Sequence, residues 1–177
     1  MRFVPPQQAK KKIKWTAEVI RRLYALGWIS HATTVGKRAQ IHIPRLDCIQ
    51  CFTATGHLHA KQPPEKVDEA LHEWFGPPQG CLSSILDCEW DAADSKLFIF
   101  DAIKLDGKSL RDLTFEQRHA LLFRDFIHPN IKVLPIIKSP AQAIKLLQGA
   151  DPSIQGLIFR SSISTGWPAS GILRCPK

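Results

Sequence analysis

The sequence predicts a mixed α+β class with largely antiparallel sheets, and three observations carry that reading. Apolar strands come in pairs joined by short polar turns. Segments with helical apolar spacing are inserted between the pairs. Two later helices are announced by their capping residues. At 177 residues the chain fits one well-packed domain spanning 1–177.

A first helix is expected from about Lys14 to Leu26, where Trp15, Val19, Leu23 and Leu26 share a face and Gly27 can close the end. The stretch "HATTVGKRAQIHI", His31 to Ile43, reads as a loop feeding a strand. Its "RAQIHI" pairs with "IQCFT" as a hairpin across the Pro44–Asp47 turn. "PPEKVDEALHEWFG" places Val67, Ala70, Leu71, Trp74 and Phe75 at helical spacing. "SSILDCEW" and "LFIFDAIKL" are strongly apolar strands joined by "DAADSK", with a further turn at Leu105-Asp106-Gly107. Thr114 with Gln117 three residues on is a capping box, and Ser139, Pro140 and Gln142 open another helix that Gly149 stops. "KVLPII" and "GLIFR" supply the remaining strands.

Composition excludes several classes. Apolar content of 44% with 23% charged residues suits a soluble globular chain, and no apolar run approaches the roughly 18 residues of a membrane span. "MRFVPPQQAKKKIKW" has no apolar segment behind its basic residues, so secretion is not expected. Five cysteines without a framework suggest reduced thiols in a cytoplasmic (nucleoid) or nuclear setting. Cys48-x-x-Cys51 with Cys81 and Cys88 makes a poor zinc set, because strand residues three apart point to opposite faces. His57 and His59 share a strand face with no convergent carboxylate, so no metal site is expected.

The net charge of +8 is concentrated at the start. Residues 1–45 hold ten Lys/Arg, with Lys10, Lys11, Lys12, Lys14, Arg21 and Arg22 among them, against the single acid Glu18. Such a block attracts polyanions through counterion release, which makes nucleic acid (DNA) the first partner to consider. The plainer reading is a solvated basic arm.

Residues 84–122, "SILDCEWDAADSKLFIFDAIKLDGKSLRDLTFEQRHALL", resemble the middle of the adenylation domain of ATP-dependent DNA ligases, members of the covalent nucleotidyltransferase superfamily. "LDCEW" resembles the DGE motif and "QGLIFR" at Gln155–Arg160 the EGxxxK motif; "GKRAQIHI" and "FTATGHL" are similar to the KxDGxR and SRxG motifs. The order of motifs matches over nearly the whole chain. The resemblance implies two mainly antiparallel sheets with flanking helices, a cleft between them, and, at this length, no OB-fold domain. It also implies a chemistry in which a lysine amine attacks the α-phosphate of ATP, with Mg²⁺, and passes AMP to a 5′-phosphate.

The resemblance places Thr33 at the family lysine, Val35 at the aspartate and His31 at a glutamate two residues before the lysine. A threonine hydroxyl cannot form the lysyl-AMP. Lys37 is a substitute only at a distance, since four extended residues span more than ten ångströms at roughly 3.3 Å each. The SRxG arginine falls on Ala54 and the EGxxxK glutamate on Gln155. Nucleotide-binding counterparts are Arg38, Glu89, Phe100 (where a ring packs on the purine), Arg160 in place of the EGxxxK lysine, and Arg174 in the closing KxK-like "RCPK". Asp101 and Arg118 read as scaffold residues that brace their strand against the next helix. The resulting expectation is a catalytically degenerate ligase-like protein that binds DNA without self-adenylation. Alternatives are an active or partner-completed ligase using ATP and Mg²⁺, with lysyl-AMP on Lys37, and a protein-interaction subunit that uses the old cleft for a protein partner.

Overall fold

The structure is a computed structural model that describes residues 11–44, 49–74, 83–123, 128–162 and 172–177. In chain order its elements are β1 (Lys11–Lys12), α1 (Ala17–Ala25), β2 (Trp28–Thr34), β3 (Lys37–Ile43), β4 (Gln50–Thr53), α2 (Glu65–Trp74) and β5 (Ser84–Asp91). There follow β6 (Lys96–Leu105), β7 (Lys108–Ser109), α3 (Phe115–Ala120), β8 (Ile131–Val133), α4 (Pro140–Gln148), β9 (Ile154–Ser161) and β10 (Ile172–Pro176). Sheet A has the order β1-β10-β9-β2, and sheet B the order β4-β3-β5-β6-β7 with β8 also on β6. The pairs β1–β10 and β6–β8 are parallel; the others are antiparallel. The α+β class with two mainly antiparallel sheets and flanking helices is therefore present.

Strand alternation sorts the side chains into three layers. From sheet A, Leu157, Phe159 and Cys175 pack outward with Ile20 of α1 and Ala143 and Leu147 of α4. From sheet B, Ile41, Leu86, Trp90 and Ile99 pack with Val67, Leu71 and Trp74 of α2. The opposite faces supply His31, Thr33, Gln40, Asp87, Glu89, Asp101 and Arg160, all buried. Two apolar cores thus flank a polar layer between the sheets.

A buried carboxylate ties that layer together. Asp101 on β6 accepts from Arg118 Nε at 2.8 Å and Nη2 at 2.9 Å, and from Arg160 Nη1 on β9 at 3.2 Å. Arg118, on α3, also donates to the Leu113 carbonyl at 2.7 Å. The Arg160 guanidinium lies 4.7 Å from the Phe115 ring centroid. One carboxylate therefore joins sheet B, sheet A and α3, and the brace between Asp101 and Arg118 extends across the sheets.

Local signals act where they were read. Thr114 accepts from Gln117 N while Gln117 Oε1 accepts from Thr114 N, completing the capping box, and Ser139 accepts from Gln142 N. Gly27 ends α1 at φ +78°, and the turn between β6 and β7 puts both Asp106 and Gly107 at positive φ, as a tight two-residue hairpin requires. The β3–β4 hairpin and α2 also form.

Four expectations need correction. His31 to Thr34 is no loop: it lies in β2, whose inward polar residues hide the apolar alternation that marks a strand. α1 starts at Ala17, capped by Thr16, and buries Ile20, while Leu26 is 67% exposed. Of "KVLPII" only Lys132 and Val133 join a strand, β8, since Pro135 cannot donate to a ladder. β1 was not anticipated; it is held by β10 and has no pattern of its own. Lys10, Cys48, Phe75, Cys81 and most of the Pro44–Asp47 turn lie outside the described residues.

Two measurements check this framework. Gly156 sits at φ +155°, where an added Cβ would fall on the Cys175 carbonyl oxygen and within 2.9 Å of Pro176 Cα. Gly156→Ala is expected to lower unfolding free energy by at least about 2 kcal/mol in urea titration. Gly149→Ala, at φ −65°, is expected to change it by under about 1 kcal/mol. Asp101→Asn leaves two buried guanidiniums facing a neutral amide and is expected to cost about 3–5 kcal/mol in the same assay. An effect below 1 kcal/mol would remove Asp101 as the inter-sheet tie.

Candidate functional site

The polar layer opens at one end because of how the strands are registered. β2 sets His31 opposite Ile158 and Thr33 opposite Gly156. β10 sets Arg174 opposite Ile158, and β1 places Lys12 beside Arg174. Lys12, Arg174, Ile158 and His31 therefore form one row across the inner face of sheet A. From sheet B, β3 and β5 bring Arg38 opposite Glu89. The two faces bound a cleft of about 400 Å³.

Among the described residues, four cations line this cleft, Lys12, Lys37, Arg38 and Arg174, against one carboxylate, Glu89. Lys12 and Lys37 are exposed, and Arg174 is half-buried with no hydrogen-bond partner at Nε. Arg38 pairs with the fully buried Asp87 through Nε–Oδ1 at 2.8 Å and Nη2–Oδ2 at 2.5 Å. Burial pushes the Asp87 carboxyl up to about 6, with Arg38 and Arg160 opposing that rise. Burial likewise raises Glu89, opposed by its bonds to Thr34.

Glu89 is held by the chain itself. Its Oε2 accepts from Thr34 N at 2.5 Å and Thr34 Oγ1 at 2.8 Å, where the backbone leaves sheet A for sheet B. A Cβ on Gly36 would meet the Glu89 and Trp90 backbone at 3.1 Å, so this crossing lies close against β5. The glycine of the KxDGxR-like stretch has a packing reason to be there.

The positions that resemble catalytic ones converge without their charges. Thr33, Ala54 and Gln155 all line the same cleft. Thr33 is only 3% exposed, and its hydroxyl has no hydrogen-bond partner. Lys37 begins β3, on the far side of the Val35–Gly36 crossing from Thr33.

Phe100 and Arg160 are placed differently from Arg38, Glu89 and Arg174. Phe100 is fully buried: the His31 ring stacks on it at 4.6 Å and 8°, and the Arg38 guanidinium lies 4.1 Å from its centroid. Burial, then the charges of Arg160 and Arg38, hold His31 well below the ordinary imidazole range, so the ring is neutral. Its Nδ1 donates to the Ala32 carbonyl at 3.0 Å, and Nε2 has no partner. Arg160 is 1% exposed and bonded to Asp101; burial lowers it to about 10, which still leaves it charged. It lies outside the cleft lining.

Of the candidate nucleic-acid contacts, Lys12, Lys14, Arg21 and Arg22 are exposed, and Lys11 pairs through its backbone with Leu173. Lys12 and Lys14 also line a second groove of about 370 Å³ with Trp15 and Lys177. Among the described residues, no three His, Cys, Asp or Glu side chains converge as metal ligands, and no helix is long and apolar enough to cross a membrane. Cys51, Cys88 and Cys175 are buried free thiols. Sequence reading missed Lys12 as a cleft residue, the Thr34–Glu89 clasp and the stacking of His31 on Phe100. Only β1 pairing and the β2 face could have shown them.

Among the described residues, the cleft lining presents the Thr33 hydroxyl at the position that resembles the family lysine, its single carboxylate, Glu89, is engaged by Thr34, and the buried ring of Phe100 is covered by His31.

The chain matches no family model, and no curated protein matches it. Solved structures do. It is similar to the ligase domain of M. tuberculosis LigD, at 16% identity and a TM-score of 0.64 over 93% of this chain and 57% of that one. It is also similar to a mycobacterial DNA ligase D complexed with ATP and MES (16%, 0.61, over 86% and 55%) and to Pmar-Lig_Pre (13%, 0.63, over 94% and 46%). The chain thus spans between 46% and 57% of these structures. Its two sheets, flanking helices and intervening cleft are the adenylation-domain-like fold of ATP-dependent DNA ligases.

Proposed function

We propose that this chain binds nucleic acid, DNA in the first instance, through its cleft and basic face, and does not adenylate itself. The observation that carries the reading is the wall of the cleft: Thr33 presents a hydroxyl where the resembled chemistry needs an amine, while Lys12, Lys37 and Arg174 supply positive charge around it. Phosphate is the ligand that such a wall suits, through charge-assisted hydrogen bonds. The second groove shares Lys12 and adds Lys14, Lys177 and Trp15, so cations continue beyond the cleft beside an aromatic surface.

A second reading keeps an enzyme. Lys37 is an exposed amine in the cleft wall, and a ligase-type nucleotidyltransferase using it, alone or with groups from a partner, would share the same architecture. Intact-protein mass spectrometry after incubation with ATP or GTP and Mg²⁺ or Mn²⁺ separates the two. An unchanged mass is expected; one added nucleoside monophosphate, mapped to Lys37, would replace the binding reading with the enzymatic one.

The electrostatic part has its own check. With three cations meeting phosphates, log affinity for nicked duplex DNA is expected to fall against log salt with a slope of about −3, and Lys12→Ala or Arg174→Ala to flatten it by about 1 each. An affinity that stayed level from low to high salt would sink nucleic-acid binding by this face.

A further inference from the structure

We infer that the cleft takes phosphate groups without an accompanying base, so that its ligand is the phosphate backbone of a polynucleotide and not a free purine nucleotide. The inference rests on the binding function proposed above and narrows it.

The cleft offers charge at its mouth and no surface for a base. Among the described residues its lining holds four cations and no aromatic ring; Ile158 and Ala54 are apolar members. Phe100 is a flat ring of the polar layer, and the protein covers it with its own side chains. His31 stacks on it nearly parallel at 4.6 Å, in the offset that heteroaromatic rings adopt on phenylalanine, and Arg38 lies 4.1 Å from its centroid. Neither neighbour moves aside cheaply. His31 is anchored through its Nδ1 to the Ala32 carbonyl and sits mid-strand in β2, while Arg38 is held in a two-point pair with Asp87.

His31 is thus an internal substitute for a bound base. Its buried Nε2 has no hydrogen-bond partner, so the ring is placed by its Nδ1 bond to Ala32 and by stacking on Phe100. A purine arriving with its phosphates would have to expel it. A phosphodiester needs only the mouth, where Lys12, Lys37 and Arg174 stand. The same logic leaves bases of a bound strand outside the cleft.

The test compares ATP with inorganic tripolyphosphate by titration calorimetry on the full chain, beside fluorescence binding of nicked duplex DNA. In the wild type, ATP is expected to bind no more tightly than tripolyphosphate. In His31→Ala, ATP is expected to gain about tenfold over tripolyphosphate, with DNA affinity changed less than twofold. ATP binding the wild type tenfold tighter than tripolyphosphate would overturn the inference while salt-sensitive DNA binding kept the proposed function standing. No gain for ATP in a folded His31→Ala would overturn the role of His31 as the internal substitute, since no base site would then lie beneath the imidazole. If neither tripolyphosphate nor DNA binds the wild type, both readings fall together. The wild-type comparison decides the matter even where the variant does not fold.

Discussion

The buried carboxylate of Asp101 is the constraint on which the arrangement depends. Two guanidiniums, from Arg118 and Arg160, converge on it from different elements in a layer that solvent does not reach. Charges in such a place are tolerated only when paired with good geometry, because desolvation of each is severe. The pairing fixes where β9 of sheet A can lie over β6 of sheet B, and so where the cleft between the sheets begins. Apolar packing alone would not do this, since each hydrophobic cluster belongs to the outer face of one sheet.

Several residues around the cleft have packing reasons for their identity. Gly36 and Gly156 stand where backbone approaches backbone too closely for a side chain. Glu89 persists as a clasp on Thr34, which fixes the crossing between sheets. Each of these has a packing role that is independent of any reaction. Thr33, Ala54 and Gln155 line the cleft, with Thr33 paired to Gly156 across β2 and β9 and the Gln155 carbonyl accepting from Lys177 N.

Much of the fold was legible because its signals are local: caps at Thr114 and Ser139, the Asp106-Gly107 turn, and the spacing of Val67, Leu71 and Trp74. β2 was not, because "WISHATT" buries polar groups on one face and small residues on the other, which leaves no hydrophobic period to read. The site was legible as a set of motif positions and illegible as a geometry. Nothing in the spacing of His31 and Phe100 announces that one covers the other, and nothing local to Lys12 shows that it joins a sheet beside Arg174. Arg160 shows the reverse: expected as a nucleotide-binding cation, it pairs with the buried carboxylate of Asp101.

The two-residue strand β1 has a further consequence. Among the described residues, Lys11, Lys12 and the Ile13 amide cover the outer edge of β10, so the segment that carries positive charge toward the cleft is also one that caps sheet A. An uncovered strand edge is a template for pairing with another chain, and lysines are a common guard against it. A ligand strong enough to draw this segment away from β10 would therefore expose an edge as well as fill a site. Occupancy and self-association would then be coupled through two residues.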